Sequence, residues 1–586
     1  MLVPALLLSA CEDRPAHDDG PVPSEVLPEA SLITSHDGDD DLLSAGLGLD
    51  GLRGDTPQVA DPDAPTAPEL RRMAIHAQWQ ALIDLSPAGG FGQSWGSLTK
   101  VPGREFHARD RIEGSEHPFR ILLQLPNSFD PDRPCLVAAP ASGSRGIYGA
   151  VPVAGPVAFQ RDCAVVHTDK GAGTDIFDFQ SDTGVGLDGI RLQRSDGNLV
   201  FEPLPVSDQA PEGLVAVKHA HSADHPEARW GEKVRRSVRF ARGILFAQFP
   251  DLDPESLTTI GLGLSNGGGA VLQAISGSDP DLFDGVIAVA PNIRAPDTPT
   301  LYDYATLAAL YQPCMLAGAA GENWPLAGLP FLVEAGEARC ESLVEAGRLE
   351  EADPGQARRV LEEAGLDEPT LSQSAILAMG DLWRSVAVIY ASAYARTPAD
   401  EMPCEYALVS QSSASERNYW YALSPGVAPA AGIEIHDGLA GSDDPAFAGL
   451  LCLRELLEDE DETLIESLEA LQFLPGRQAP PTVVVHGLQD GLVPEAFTSR
   501  PWVAAARQAG FERLAYWTVD GAQHFDSVLA TPGIQGRYGP LQAYTEAAFD
   551  SLWVYLRDEE EFPGDRSLQV DHPGPGEMPE ADDLGL

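Results

Sequence analysis

The run LTTIGLGLSNGGGA at 257–270 holds a serine, Ser265, between glycines at 263 and 267. Leu257, Ile260, Leu262 and Leu264 predict a strand leading to the serine, and Gly268, Gly269 and Ala270 open a helix-like segment after it. So sharp a strand-to-helix turn leaves no room for flanking side chains, and glycine removes their Cβ atoms. The following helix turns its free N–H groups towards the reacting centre. A hydroxyl is a weak nucleophile near neutral pH, so Ser265 needs a base within hydrogen-bond reach and a carboxylate to orient that base.

Two later loops can supply them. The apolar run TVVVHG (482–487) leads into LQDGLVP, which carries Asp490. The next run, Leu514–Val519, leads into DGAQHF, which carries His524. Both residues lie past strand ends, the edge where ligands sit in open α/β sheets. The order Ser265, Asp490, His524 is that of a hydrolytic triad on such a sheet. His486, at a strand end beside glycine, reads as structural. Asp520 and Asp526 lie too near His524 in sequence to orient its ring, and Glu495 sits at an apparent helix start, where capping explains it.

A tetrahedral intermediate needs N–H donors aimed at its oxyanion. The backbone N–H of Asn266 is one candidate. The Gly/Ser loop after the run Cys135–Ala139 offers a second among Ser142, Gly143 and Ser144. Arg145, beside that loop, is a candidate to attract a substrate carboxylate.

Seven short apolar runs must position these groups: Phe119–Leu125, Cys135–Ala139, Cys163–Thr168, Leu257–Leu264, Gly285–Ala290, Thr482–His486 and Leu514–Val519. Continuous rather than alternating hydrophobicity predicts strands covered on both faces. Helical spacing at 71–85, 233–249, 494–509 and 540–557 supplies the cover. The expected fold is α/β, an α/β-hydrolase sheet, mostly parallel, with helices on both faces. Residues 296–479 break the alternation with helices and read as a lid inserted late in the sheet. The expected division is a lipoprotein-type signal segment at 1–11, an acidic disordered linker at 12–70, and core at 71–295. The lid at 296–479, the rest of the core at 480–557 and an acidic disordered tail at 558–586 follow.

The 586 residues carry 38 basic and 89 acidic side chains, a net charge of −51 that repels nucleic acid and anionic lipid. Residues 12–69 hold fifteen of the acids against two arginines, too little apolar surface to offset chain entropy. Leu8-Ser9-Ala10-Cys11 has the form of a lipobox, in which Cys11 takes a lipid. The chain is then expected outside the cytoplasm: a periplasmic or cell-surface lipoprotein, or secreted. Contact with a membrane is expected only through that anchor. Six further cysteines admit fifteen pairings. Cys135 and Cys163 each begin an apolar run and can meet across neighbouring strands, whereas Cys314 with Cys340 and Cys404 with Cys452 follow from proximity alone. No His/Cys cluster suggests a metal, and no cofactor is expected.

Longer motifs narrow the reading. SGSRGIYGA (142–150), TDKGAG (168–173), KHAHS (218–222), SNGGGA (265–270), LYDYATLAALYQPC (301–314), HGLQDGLVP (486–494), TSRP (498–501) and AQHFD (522–526) occur in order across core and lid. In these the chain resembles the D-3-hydroxybutyrate oligomer hydrolases, also called hydroxybutyrate-dimer hydrolases, from about residue 88 to 556. The resemblance implies an extracytoplasmic serine esterase that cleaves dimers and short oligomers of (R)-3-hydroxybutyrate, released from polyhydroxybutyrate, to the monomer. The lipobox, the acidic ends and the acidity depart from the pattern. Other readings are a secreted carboxylesterase of feruloyl-esterase or polyester-depolymerase type, and a non-catalytic surface lipoprotein.

Overall fold

The computed structural model describes residues 28–170, 174–277, 280–423, 426, 429, 431–558, 560–571 and 580–585. The expected signal segment and Cys11 lie outside them, as do residues 171–173 of the TDKGAG motif. Ten strands form one sheet: β1 Leu32–His36, β2 Gly103–Asp110, β3 Phe119–Pro126, β4 Cys135–Pro140, β5 Ala164–Thr168, β6 Thr258–Leu264, β7 Gly285–Val289, β8 Thr482–Gly487, β9 Leu514–Asp520 and β10 Arg566–Gln569. Their spatial order is β1-β2-β3-β5-β4-β6-β7-β8-β9-β10. From β5 to β10 every pair is parallel, while β1, β2 and β3 add an antiparallel edge. Strands β3, β4, β5, β7 and β8 are buried along their whole length, which is what their unbroken apolar runs require.

Helices α1 Ala67–Leu82, α2 Val151–Phe159, α3 Pro226–Gln248, α4 Asn266–Ile275 and, after the cap, a helix over Leu541–Arg557 pack on the sheet. This is the α/β-hydrolase fold. No single helix among the described residues is long and apolar enough to cross a membrane.

Two expectations need correction. Residues 28–70 of the expected tether are built into the fold: β1 pairs with β2, and Leu42, Leu43 and Leu52 are buried. The acids there are local acceptors rather than solvated charge. Asp41 takes the N–H groups of Leu43, Ser44 and Gly46, and Asp40 meets Arg71 at 3.0 Å. In the expected tail, β10 pairs with β9, and Val570 and Leu584 are buried. Strand β2 was also unforeseen, since Arg104, Glu105, His107, Arg109 and Asp110 obscure any apolar pattern. Its buried Glu105 is compensated by Arg71 at 2.8 Å, Tyr148 Oη at 2.9 Å and the rings of His36 and His107.

Between β7 and β8, helices from Leu301 to Glu469 form the expected cap. Among them are α5 Leu301–Ala317 and α6 Leu382–Ala395. A two-stranded ribbon, Tyr406–Ser410 with Ile433–Asp437, lies within this stretch. A four-stranded sheet built between residues 176 and 217 was not foreseen: its strands are three residues each, too short for a period to register. Disulfides join Cys135 to Cys163 at neighbouring strand starts, Cys314 to Cys340 and Cys404 to Cys452.

Candidate active site

Ser265 sits between β6 and α4 with φ +58° and ψ −123°, a strained left-handed conformation for a residue with a side chain. The surrounding backbone fixes it: its N–H donates to the Val289 carbonyl at 2.8 Å, and its carbonyl accepts from the Gly269 and Asn292 amides at 3.0 Å each. The flanking glycines are a packing necessity. A Cβ at Gly263 would lie 2.2 Å from the Gly267 carbonyl oxygen, and one at Gly267 would lie 2.5 Å from that of Pro140.

The loops after β8 and β9 bring their residues to this point. His524 Nε2 lies 3.0 Å from Ser265 Oγ, and its Nδ1 lies 2.6 Å from Asp490 Oδ2. The other carboxylate oxygen of Asp490 accepts the Leu492 and Val493 amides at 2.9 and 2.7 Å. Burial opposes its ionisation, yet His524 and His486 hold the carboxyl far below the usual carboxylate range. Such an acceptor orients the imidazole so that Nε2 faces the serine.

The bypassed residues have other employment. His486 is fully buried, with Nδ1 2.7 Å from Ser499 Oγ and Nε2 2.9 Å from the Val493 carbonyl, so it braces the loop that carries Asp490. Glu495 pairs with Arg500 and accepts from Tyr516 Oη at 2.8 Å. Asp526 accepts the Leu541 and Gln542 amides at the start of the last helix, and burial pushes its carboxyl up to about 7.

Of the three loop candidates for an oxyanion donor, Ser144 gives its N–H to the Gly426 carbonyl at 2.8 Å. The Ser142 hydroxyl accepts from Arg145 Nε at 3.2 Å. Gly143, with φ +54°, lines the cavity beside Ser265, and among the described residues its N–H has no acceptor. Asn266, at the head of α4, lines the same cavity, and its N–H is likewise free among the described residues. Gly143 and Asn266 therefore present two amides where an oxyanion would form.

Arg145 does not face the cavity. Its guanidinium turns under Gly426 towards α1, donating to Gln78 Oε1 at 3.1 Å and the Ala81 carbonyl at 3.2 Å. Burial with no carboxylate beside it pulls its pKa down to about 10. It braces the oxyanion loop from behind and cannot greet a substrate carboxylate from there.

The cap closes the cavity. Leu301, Leu382, Ser385, Val386, Ile389 and Tyr390 line it opposite Ser265, and its volume is ≈ 50 Å³. A groove of ≈ 630 Å³ adjoins it, sharing Leu382 and Ser385 and walled by Ile376, Met379, Ile433, Ile435 and by Phe525, the neighbour of His524. A further cap cavity of ≈ 550 Å³ shares Leu382 and Arg384 with the groove but does not reach Ser265. Sequence reasoning missed these cap residues, and it missed Tyr390 and Asn292, which hold the Asn266 carboxamide at 2.8 Å each. The only signal was that KHAHS and TDKGAG had no assigned task.

A family model described as 3HB-oligomer hydrolase (3HBOH) matches residues 7–581. The chain belongs to the 3HB-oligomer hydrolase family. Among relatives of this family member, the D-(-)-3-hydroxybutyrate oligomer hydrolase of Burkholderia pseudomallei (strain 668) is 32% identical, the match covering 97% of this chain and 92% of the relative. That of Burkholderia ambifaria is also 32% identical, over 96% and 91%. Among solved structures, this 3HB-oligomer hydrolase family member is similar to a ligand-bound form of the rice cell wall degrading esterase LipA from Xanthomonas oryzae. That likeness has 12% identity and TM-score 0.35, covering 80% of this chain and 94% of the other. Candida antarctica lipase A in its closed state gives 10% identity and TM-score 0.36, over 83% and 84%.

Proposed function

We propose that this protein is a serine esterase that hydrolyses dimers and short oligomers of (R)-3-hydroxybutyrate to the monomer, in the breakdown of polyhydroxybutyrate. The observation that carries the reading is the hydrogen-bonded line from Ser265 through His524 to Asp490, at 3.0 and 2.6 Å. The names of the relatives supply the substrate class. His524 takes the Ser265 proton as the hydroxyl attacks the ester carbonyl, and Asp490 stabilises the imidazolium that forms. The oxyanion is held by the N–H groups of Asn266 and Gly143. The alcohol end of one hydroxybutyrate unit leaves with the proton from His524. Water then enters, gives its proton to His524 and releases the acyl group from Ser265.

The cavity over Ser265 holds only one or two waters, each taking about 30 Å³. Entry of an ester therefore requires α6 to shift, and the groove beyond Leu382 receives the rest of the chain. Its ≈ 630 Å³ falls within the roughly 300–1,000 Å³ of small-molecule sites, and its apolar walls suit methyl-bearing ester units. An extracytoplasmic location belongs to the same proposal: three disulfides persist where the surroundings are oxidising, and Cys11 is the candidate lipid site.

The test is product analysis on hydroxybutyrate dimer, trimer and polymer with the native protein and Ser265→Ala, alongside fluorophosphonate labelling. Monomer release and a single label on Ser265 are expected, both lost in the variant. Full turnover by Ser265→Ala would refute the triad. Turnover of aryl esters but of no hydroxybutyrate oligomer would refute the substrate.

A further inference from the structure

Two motifs outside the triad loops, KHAHS and TDKGAG, converge behind Asn266. Lys170 follows β5 and is 1% exposed. Its ammonium donates to Glu227 Oε1 at 2.7 Å and to Tyr390 Oη at 2.9 Å, and it lies 4.9 Å from the Tyr390 ring centroid. His219 Nε2 hydrogen-bonds the same Glu227 oxygen, and the His219 ring meets Tyr390 edge-on at 5.0 Å. Burial opposes both charges, but each stabilises the other: Lys170 stays protonated, and Glu227 is held well below the ordinary range.

An ion pair this deep is costly, and apolar residues of similar size would stabilise the fold as well or better. Its output is the Tyr390 hydroxyl, held between Lys170 Nζ and the Asn266 carboxamide at 2.8 Å. The far end of that carboxamide meets Asn292 Nδ2, also at 2.8 Å. Asn266 is thus gripped at both ends, and it directly follows the strained Ser265. Tyr390 rides on cap helix α6, whereas Lys170, Glu227, His219 and Asn292 belong to the core. We propose that the Lys170–Glu227 pair, acting through Tyr390, is a positioning device that fixes Asn266 and its oxyanion-binding amide, and that it is complete only when α6 is seated over Ser265. This rests on the reading of Ser265 as nucleophile. It makes closure of the cap and assembly of the oxyanion site one event, in the manner of induced fit.

The experiment is a double-mutant cycle of Tyr390→Phe and Asn266→Ala in the full chain, with 4-nitrophenyl acetate as substrate. Asn266→Ala keeps the backbone N–H and removes only the gripped carboxamide. Each single change should lower kcat by roughly tenfold to a hundredfold, the loss expected of a misplaced catalytic group, with KM within about threefold. Because both act through one contact, the double variant should be no worse than the poorer single one. Asn292→Ala cuts the grip from the core side without touching the cap, and should reproduce the kcat loss should Tyr390→Phe fold poorly. Fluorophosphonate should still label Ser265 fully but more slowly in all variants. The proposal is overturned by native kcat in Tyr390→Phe, by a change in KM alone, or by losses that multiply in the double variant. Failure of the native protein to label would instead overturn the esterase reading.

Discussion

In the core, strands β3, β4, β5, β7 and β8 are buried on both faces, and the reacting groups stand at the ends of β6, β8 and β9. In the cap, helices enclose cavities of ≈ 550 and ≈ 630 Å³ and carry two of the three disulfides. A close-packed sheet fixes atoms to within fractions of an ångström, as proton transfer between Ser265 and His524 demands. An insertion that packs around voids cannot do that. It can give way to ligands, with covalent staples replacing the missing contacts. The contrast assigns rate to the core and access to the cap, and it can be broken at several points.

The largest effect belongs to the core. Asp490→Asn should lower kcat by about 10⁴ on every ester while leaving the fold intact, because the imidazole loses the acceptor that sets its tautomer. Ester turnover beside a thermal melt checks this, and a loss confined to long substrates would contradict the division of labour. Next, replacing Cys314 and Cys340 by serine should cost about 3 kcal/mol, the usual scale for a loop of this size. Hydrogen exchange should show that loss in α5 and its neighbours first, with β6 to β8 still protected. Third, Leu382→Trp fills the junction between groove and cavity. It should raise KM for the hydroxybutyrate trimer about tenfold, or ~1.4 kcal/mol, while 4-nitrophenyl acetate turnover changes less than about twofold. Equal effects on both substrates would place the path elsewhere.

The smallest effect concerns pH. Asp526 titrates at about 7 in the fold, above its value of roughly 3.9 in an unfolded chain. Below pH ~4 both states are protonated and its contribution is complete. As pH rises towards 7 the unfolded state sheds the proton first, so stability falls across that window and stays lower above it. Thermal melts at pH 5 and pH 8 should differ less in Asp526→Asn than in the native protein.

The seven apolar runs read from the sequence correspond to β3 through β9 because each is covered on both faces, and burial writes itself as unbroken hydrophobicity. Ser265, Asp490 and His524 could be named for a related reason: each sits beside a strand end that was itself visible. Strand β2 could not be seen, since its charges are neutralised by Arg71 and other partners far away in sequence. Tyr390 was hidden too, because its contact with Asn266 spans 124 residues. Arg145 misled through the opposite fault: its neighbourhood in sequence was right, and its direction was set by α1, which sequence does not orient. The acidic ends misled because composition counts charge without showing what the charge accepts.

Those ends bear on how the protein can be handled. Strands β1 and β10 form the two margins of the ten-stranded sheet, and each covers the open hydrogen-bonding edge of a longer strand, β2 and β9. A shortened version trimmed at about 70 or at about 558, the limits that charge alone would recommend, would bare both edges. It would also uncover the apolar surface now under Leu42, Leu43 and Val570. Bare edges recruit other chains. Such a trimmed protein would retain every reacting group and still be expected to aggregate during expression, so the segments from residue 32 to 53 and from 566 to 570 are best counted as solubility elements.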